Sequence, residues 1–120
     1  MTVETGSIRE KRAAYVRQMK VAVDRIVEVL SAIPDVQRVS LFGSYARGRA
    51  DLFTDLDVLV IMKTDKSFVE RLPMLYSRLA VAVDMDLLCY TPEEFELMKE
   101  RPFLKRALKD EVVLYAKATS

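Results

Sequence analysis

The chain has 120 residues, of which 51% are hydrophobic and 31% charged, a composition that supports one folded core but not two. Its net charge of +1 gives no strong signal for nucleic-acid binding and no bulk attraction to a membrane surface. With a single cysteine, Cys89, and no histidine, the sequence excludes an intramolecular disulfide, a Cys-rich zinc site and histidine-based acid–base catalysis.

The same inventory bears on where the protein works. No apolar run is long enough to span a bilayer, and no secretory signal is present. Cys89 lies inside an apolar run, where a small buried hydrophobe is expected rather than a nucleophile. We therefore predict a cytoplasmic protein with no membrane partner.

The first part of the chain predicts a long helix and a strand. Apolar residues recur at spacings of three and four over residues 4 to about 32, which is typical of an amphipathic helix. Ile33-Pro34-Asp35 ends this helix. Val36 to Phe42 predicts the first strand, which Gly43-Ser44 breaks, and a short helical turn is expected from Tyr45 to Arg49.

The middle of the chain predicts a strand and a second long helix. A polar loop over residues 50 to 54 leads into a strand from Asp57 to Met62, whose apolar residues indicate cover on both faces. Ser67 is a suitable N-cap for a helix running to about Leu79. Pro73 either kinks this helix or marks a second start.

The last third predicts two strands and two short helices. Val81 to Tyr90 forms the third strand. Thr91-Pro92-Glu93-Glu94 is a helix start, with Thr as N-cap, Pro at the first helical position and Glu three residues after the Thr. That helix is expected to end near Glu100. A further helix begins at Pro102, and Val112 to Tyr115 predicts a last short strand.

Two carboxylates stand at the entrance of the second strand. Because side chains alternate along a strand, Asp55 and Asp57 project to the same side. A cation relieves the repulsion between them. With no Cys or His nearby, oxygen ligands indicate Mg²⁺ or Mn²⁺ rather than Zn²⁺. Asp-x-Asp pairs that merely end a strand in solvent are common, so this pair alone does not establish a metal site.

A third carboxylate lies in the third strand. Asp84 and Asp86 interrupt an apolar run, where a buried strand resists charge. If this strand lies beside the second, Asp86 can join Asp55 and Asp57, whereas Asp84 is well explained as a strand-entry residue facing solvent. Three carboxylates suit the metal ions of phosphoryl or nucleotidyl transfer, and the third can accept a proton from an attacking hydroxyl.

The Gly-Ser corner offers a phosphate site. Gly43 allows a sharp turn and a close approach of the backbone to an anion, and Ser44 adds a hydroxyl. Arg47 and Arg49 follow at a distance suited to β- and γ-phosphates. For Arg49, a position in a solvated loop is as good an explanation as phosphate contact, whereas for Arg47 it is the weaker explanation. Together with the carboxylates, these residues predict a site for a nucleoside triphosphate and its metal ion.

The stretch Gly43 to Gly48 followed by Asp55 to Val60 resembles the nucleotidyltransferase superfamily that includes DNA polymerase β, and in size it is similar to the minimal nucleotidyltransferases. Asp86 to Phe95 resembles the third-Asp strand of that group, and the resemblance covers about residues 36 to 116. It implies one α/β nucleotidyltransferase domain over residues 1–120, with a small mixed sheet of about four strands flanked by helices and a long N-terminal helix.

The resemblance also implies an activity. Minimal nucleotidyltransferases transfer an NMP, here expected to be AMP from ATP although another NTP stays open, to a hydroxyl group with Mg²⁺ and release pyrophosphate. Carried over by position, Gly43 and Ser44 bind the triphosphate, whereas Asp55, Asp57 and Asp86 hold metal and carry the catalysis.

The expected partner follows from the same family. Larger members have an acceptor-binding domain, and in minimal members a separate helical HEPN protein often supplies that role as the toxin of a toxin–antitoxin pair, with a toxin tyrosine as acceptor. Two alternatives stay open: a non-catalytic module that neutralises a helical partner by contact, and transfer to a small molecule. A homodimer also stays open, with a contact surface on the long helix or around Phe103 and Leu104.

Overall fold

A computed structural model describes residues 3–51 and 54–118, with side chains from residue 7 onward. Helices and strands alternate along the chain, as the sequence predicts. In order they are α1 (Val3–Ser31), β1 (Val36–Phe42), α2 (Gly43–Ala46), β2 (Leu56–Met62), α3 (Phe68–Leu79), β3 (Met85–Tyr90), α4 (Pro92–Met98), α5 (Pro102–Lys109) and β4 (Val112–Ala116).

The clearest departure from the predicted elements is at β3, which begins at Met85 rather than at Val81. Val83 is buried in the core, so it carries the apolar signal of a strand without being paired as one. The chain first meets β2 where the Leu56 amide donates to the Asp84 carbonyl at 3.0 Å. The prediction of a strand over Val81–Val83 is therefore wrong, because core burial alone produced the pattern.

Smaller differences concern helix ends. The helical turn predicted from Tyr45 to Arg49 instead spans Gly43–Ala46. Pro73 lies inside α3, and the helix continues through it from Phe68 to Leu79. Both predicted N-caps are confirmed, because Ser67 and Thr91 each form a reciprocal capping box with the Glu three residues later.

The four strands form one mixed sheet in the order β3-β2-β1-β4. β2 pairs antiparallel with β1 and parallel with β3, and β4 pairs antiparallel with β1. The interior position of β2 explains its run of apolar residues, which are buried on both faces as predicted. The predicted α/β architecture, with a mixed sheet of four strands flanked by helices and a long first helix, is thus confirmed.

Alternating residues of β2 divide the core between the two faces of the sheet. Val58 and Val60 face one cluster, whose largest buried members are Met19, Ile26, Leu30, Leu75 and Leu79 of α1 and α3. Leu59 and Ile61 face the other cluster, with Tyr90, Phe95 and Leu104. Burial of each such side chain contributes about 1.5–3 kcal/mol, so both faces are needed to hold the sheet.

Three further predictions concern Cys89, the surface around Leu104, and the absence of a membrane-spanning segment. Cys89 is fully buried, as expected, and burial raises the pKa of its thiol to about 11. Leu104 is 1% exposed, so the expectation that it offers a contact surface is wrong, whereas Phe103 is exposed. Among the described helices, none combines the length and the apolar character that crossing a membrane requires.

A buried guanidinium joins α3, β3 and α4. Arg71 is only 4% exposed. Its Nη1 donates to Glu94 Oε1 at 2.6 Å and to the Cys89 carbonyl at 3.2 Å, while its Nε donates to the Lys66 carbonyl at 2.9 Å. Glu94 also accepts from the Thr91 amide at 2.8 Å. The α4 cap and the α3–β3 contact therefore depend on one ion pair.

We expect Glu94→Ala to lower the free energy of unfolding by about 2–3 kcal/mol, because it leaves the Arg71 guanidinium buried without its anion and removes the α4 capping box. The cost is below that of a fully buried pair because the Glu94 side chain is 39% exposed. Glu94→Gln is the matched control, since it removes the charge and keeps the capping geometry. Urea unfolding at neutral pH should place it between the wild type and Glu94→Ala.

The pair should also make stability depend on pH. The hydrogen bond that Arg71 donates to Glu94 holds the pKa of Glu94 below its usual value of 4.5, and the hydrogen bonds with Thr91 act in the same direction. The stabilisation is therefore present above pH 4.5 and is lost as the pH falls through the lower folded-state pKa. We expect the difference in unfolding free energy between wild type and Glu94→Gln to shrink below pH 4.5. A difference that stays constant into acid would contradict this assignment.

Candidate active site

One end of the sheet gathers the ends of three strands. Because β1 and β2 are antiparallel, the last residue of β1, Phe42, pairs with Asp57 near the start of β2. Because β2 and β3 are parallel, Asp57 also pairs with Asp86 near the start of β3. The second and third strands are neighbours, which meets the condition set for Asp86 to join the other carboxylates, and the pairing aligns Phe42, Asp57 and Asp86 across the sheet.

Two predicted carboxylates share one face of this end. Cross-strand partners project to the same side of a sheet, so Asp57 and Asp86 lie on the face that also carries Leu59. Asp55, one residue before β2, is exposed, as is Asp86. Asp84 is exposed and lies outside β3.

The charges at this end act on one another. Burial raises the pKa of Asp57, and the nearby Asp86 and Asp55 carboxylates raise it further, while Arg47 opposes them. The ionised form of Asp57 is therefore disfavoured where it stands. A bound cation would relieve this cost.

The donor set can be compared with what a metal ion requires. Asp55, Asp57 and Asp86 supply only carboxylate oxygens, which suits a hard divalent cation such as Mg²⁺ or Mn²⁺. Within residues 3–51 and 54–118, no three acidic or thiol side chains are close enough together as they stand to hold a metal ion. Asp55 and Asp86 are both exposed at this edge, whereas Asp57 is partly buried.

Gly43 is in close contact with Asp57. A Cβ atom at Gly43 would lie 2.1 Å from Asp57 Oδ2, and the backbone there has a φ of +73°. Both the space and the dihedral angle therefore require glycine. The Gly-Ser corner and the Asp-x-Asp pair, ten residues apart in sequence, form one local structure.

Helix α2 begins at Gly43 and contains Ser44, and the predicted phosphate contacts Arg47 and Arg49 follow its end. Arg47 Nη1 donates to Asp110 Oδ2 at 3.1 Å, and its Nη2 donates to Ser44 Oγ at 3.4 Å. Arg47 thus lies beside Ser44 and near Asp57. Arg49 is exposed, and in the described part of the chain its side chain forms no hydrogen bond or ion pair with the residues of this end.

Two neighbours of this end were not identified from the sequence. Asp110, at the end of α5, pairs with Arg47 across 63 residues of sequence. Tyr15 of α1 donates to the Thr54 carbonyl at 3.0 Å. Burial raises the pKa of Tyr15, and Asp84 and Asp55 raise it further. Both residues fit ordinary surface and helix patterns, so no sequence signal marks them.

Comparison with known proteins finds one matching family model and several solved structures of similar fold. A family model described as a nucleotidyltransferase domain matches residues 23–119. The fold is similar to that of a crystal structure from Sulfolobus solfataricus described as a candidate nucleotidyltransferase, with a TM-score of 0.57 and 25% sequence identity. That alignment covers 92% of this chain and 88% of the other.

Two chains from toxin–antitoxin complexes share the fold. One complex was crystallised with AMP-PNP, and its chain is 24% identical, with a TM-score of 0.54 over 79% of this chain and 73% of that one. The other contains a tri-AMPylated Shewanella oneidensis HEPN toxin with an MNT antitoxin, and its chain is 22% identical, with a TM-score of 0.50 over 82% and 72%. No curated protein sequence matches this chain significantly.

The contact between Gly43 and Asp57 can be tested with two glycine variants. Gly43 and Gly48 both have positive φ angles, but a Cβ at Gly48 meets nothing within 4 Å. Each Gly→Ala change should therefore cost about 1–2 kcal/mol of stability through the backbone. Only Gly43→Ala should also displace the Asp57 carboxylate and weaken Mg²⁺-dependent binding of a fluorescent ATP analogue. Equal binding by the two variants would contradict the contact.

Proposed function

The chain belongs to the nucleotidyltransferase domain family, and on this basis we propose that it transfers AMP from ATP, with Mg²⁺, to a hydroxyl group of a partner protein. The observation that carries the proposal is the meeting of Gly43, Asp57 and Asp86 at one end of the sheet. Nucleotidyl transfer needs a phosphate site beside a set of carboxylates, and the position of Gly43 next to Asp57 and Asp86 supports such an arrangement.

In this proposal, the three carboxylates hold Mg²⁺, with Mn²⁺ as a substitute. Its support is the oxygen-only donor set and the position of Asp57, whose pKa is raised first by burial and further by the Asp86 and Asp55 carboxylates. When bound, the ion neutralises the triphosphate and steadies the attacking and leaving oxygens.

The protein's own residues then position the donor and move a proton. The acceptor oxygen forms a bond to the α-phosphorus as the bond to the leaving pyrophosphate breaks. Asp86, exposed at the edge, is assigned as the group that accepts the proton of the attacking hydroxyl.

The triphosphate is assigned to the Gly-Ser corner. Gly43 allows the backbone to approach a phosphate, Ser44 contributes its hydroxyl, and Arg47 contributes charge-assisted hydrogen bonds. Arg49 is proposed as a second phosphate contact that turns inward when the nucleotide binds. In the structure, the Arg47 guanidinium donates a hydrogen bond to the Asp110 carboxylate.

For the acceptor, we favour a tyrosine of a helical HEPN-type toxin, with this chain as the antitoxin. The proposal draws on the fold shared with chains of toxin–antitoxin complexes, one of which holds an AMPylated HEPN toxin. The exposed Asp55 and Asp86 leave the carboxylate edge open to an approaching side chain. Such a pair would act in the cytoplasm, where ATP is available.

We expect Asp57→Asn to reduce AMP transfer at least about 100-fold, because it removes a charge from the metal-binding set. The measurement is Mg²⁺-dependent incorporation of α-labelled AMP into a co-purified HEPN-type partner. Transfer at the wild-type rate by the variant would refute the assignment. Neutralisation of the partner by Asp57→Asn without transfer would instead favour a contact-only module.

The same variant provides its own control for folding. Because the pKa of Asp57 is raised, ionised Asp57 destabilises the folded protein at neutral pH. The neutral amide removes that penalty. Without divalent cations, the melting temperature of Asp57→Asn should therefore equal or exceed that of the wild type, so lost transfer cannot be attributed to unfolding.

The pairing of Arg47 predicts opposite effects at two positions. Arg47→Ala should weaken ATP binding about 10-fold or more by removing charge-assisted hydrogen bonds. Asp110→Asn frees Arg47 from an exposed ion pair of about 0.2–1 kcal/mol and should strengthen binding by at most about fivefold. Calorimetric titration with a non-hydrolysable ATP analogue measures both. Weakening of similar size in both variants would contradict the assigned role of Arg47.

A further inference from the structure

One tyrosine of α3 hydrogen-bonds to the backbone on both sides of Asp86. The Tyr76 hydroxyl donates to the Met85 carbonyl at 2.8 Å and accepts from the Leu87 amide at 3.1 Å. Met85 and Leu87 flank Asp86, and β3 is an edge strand of the sheet. A single side chain therefore closes the outer edge of β3 where the third carboxylate lies.

The inner edge of this segment is held by β2. In a strand, the backbone groups of neighbouring residues point to opposite edges. The Leu56 amide donates to the carbonyl of Asp84, two residues before Asp86, and Asp86 pairs with Asp57 in the parallel register. The backbone around Asp86 is thus fixed from β2 on one side and from Tyr76 on the other.

This support stands where β3 would otherwise be weakest. β3 begins at Met85, and Ala82 and Asp84 just before it are exposed. The first residues of an edge strand fray readily when only one edge is paired. Tyr76 binds the first and third residues of the strand, and the residue between them carries the carboxylate.

We propose that Tyr76 is a positioning residue for nucleotidyl transfer: its hydroxyl fixes the backbone on either side of Asp86 and thereby the placement of this carboxylate opposite Asp57. The inference rests on the proposed function of Asp86. It goes further by assigning a role to a residue outside the proposed carboxylate and phosphate-binding sets.

The test compares Tyr76→Phe with Tyr115→Phe. Phe keeps the ring at both positions, so both variants should fold with melting temperatures within about 5 °C of the wild type. Tyr115 lies on β4, at the opposite edge of the sheet, and within residues 3–51 and 54–118 its hydroxyl has no hydrogen-bond partner. Each variant loses one hydroxyl, but only one of them loses support for β3.

Three readouts are expected to change together in Tyr76→Phe. Amide exchange at Leu87, followed by NMR without nucleotide or metal, should become about tenfold faster because its acceptor is lost. The kcat of AMP transfer should fall about tenfold, while the KM for ATP stays within about twofold because the Gly-Ser corner is unchanged. Binding of Mn²⁺ alone, measured by EPR, should weaken. Tyr115→Phe should match the wild type in every readout.

The outcomes separate this inference from the proposed function. Faster Leu87 exchange with kcat and Mn²⁺ affinity unchanged would mean that Tyr76 only protects the sheet edge, which overturns the positioning role. A rise in KM without a fall in kcat would overturn it as well. Absence of transfer by the wild type would reject the proposed function alone, and Mn²⁺ affinity in the two variants would still decide whether Tyr76 positions Asp86.

Discussion

The site depends on the mixed pairing of β2, which has an antiparallel neighbour on one side and a parallel neighbour on the other. The antiparallel partner returns its Gly-Ser corner to the start of β2, and the parallel partner begins at that same end. A fully antiparallel sheet would send the start of β3 to the far end. One topological choice thus brings together residues that are 43 positions apart in sequence, from Gly43 to Asp86.

A parallel pair needs a crossover helix, and here α3 also holds the strand that it delivers. Two of its side chains bond to the backbone of β3: Arg71 reaches the Cys89 carbonyl near the end of the strand, and Tyr76 reaches Met85 and Leu87 near its start. These contacts stabilise an edge strand that carries a charged residue at its exposed end. At the same end of the sheet, burial raises the pKa of Asp57, and the Asp86 and Asp55 carboxylates raise it further.

The elements and the residues of the site differ in how far the sequence predicted them. The starts of α3 and α4 were predictable because their capping boxes are local. Asp57 and Asp86 were predictable as candidates because charges at the ends of apolar strands conflict with burial. The start of β3 was not, since Val83 is buried without being paired. Two sets of contacts could not be predicted: those of Tyr76 with the backbone of β3, and the ion pair between Arg47 and Asp110. Both arise from the packing of elements that are distant in sequence. The roles assigned to the site residues, Arg49 included, stay predictions.

The ion pair between Arg47 and Asp110 gives the protein a tethered competitor for anions. A phosphate that bound Arg47 through Nη1 would compete with the Asp110 carboxylate, which would stay close by at high effective concentration. Rebinding of Asp110 to Arg47 would shorten the time that a phosphate stays bound there. If Arg47 contacts the triphosphate as proposed, this internal anion would favour release of pyrophosphate over its tight retention.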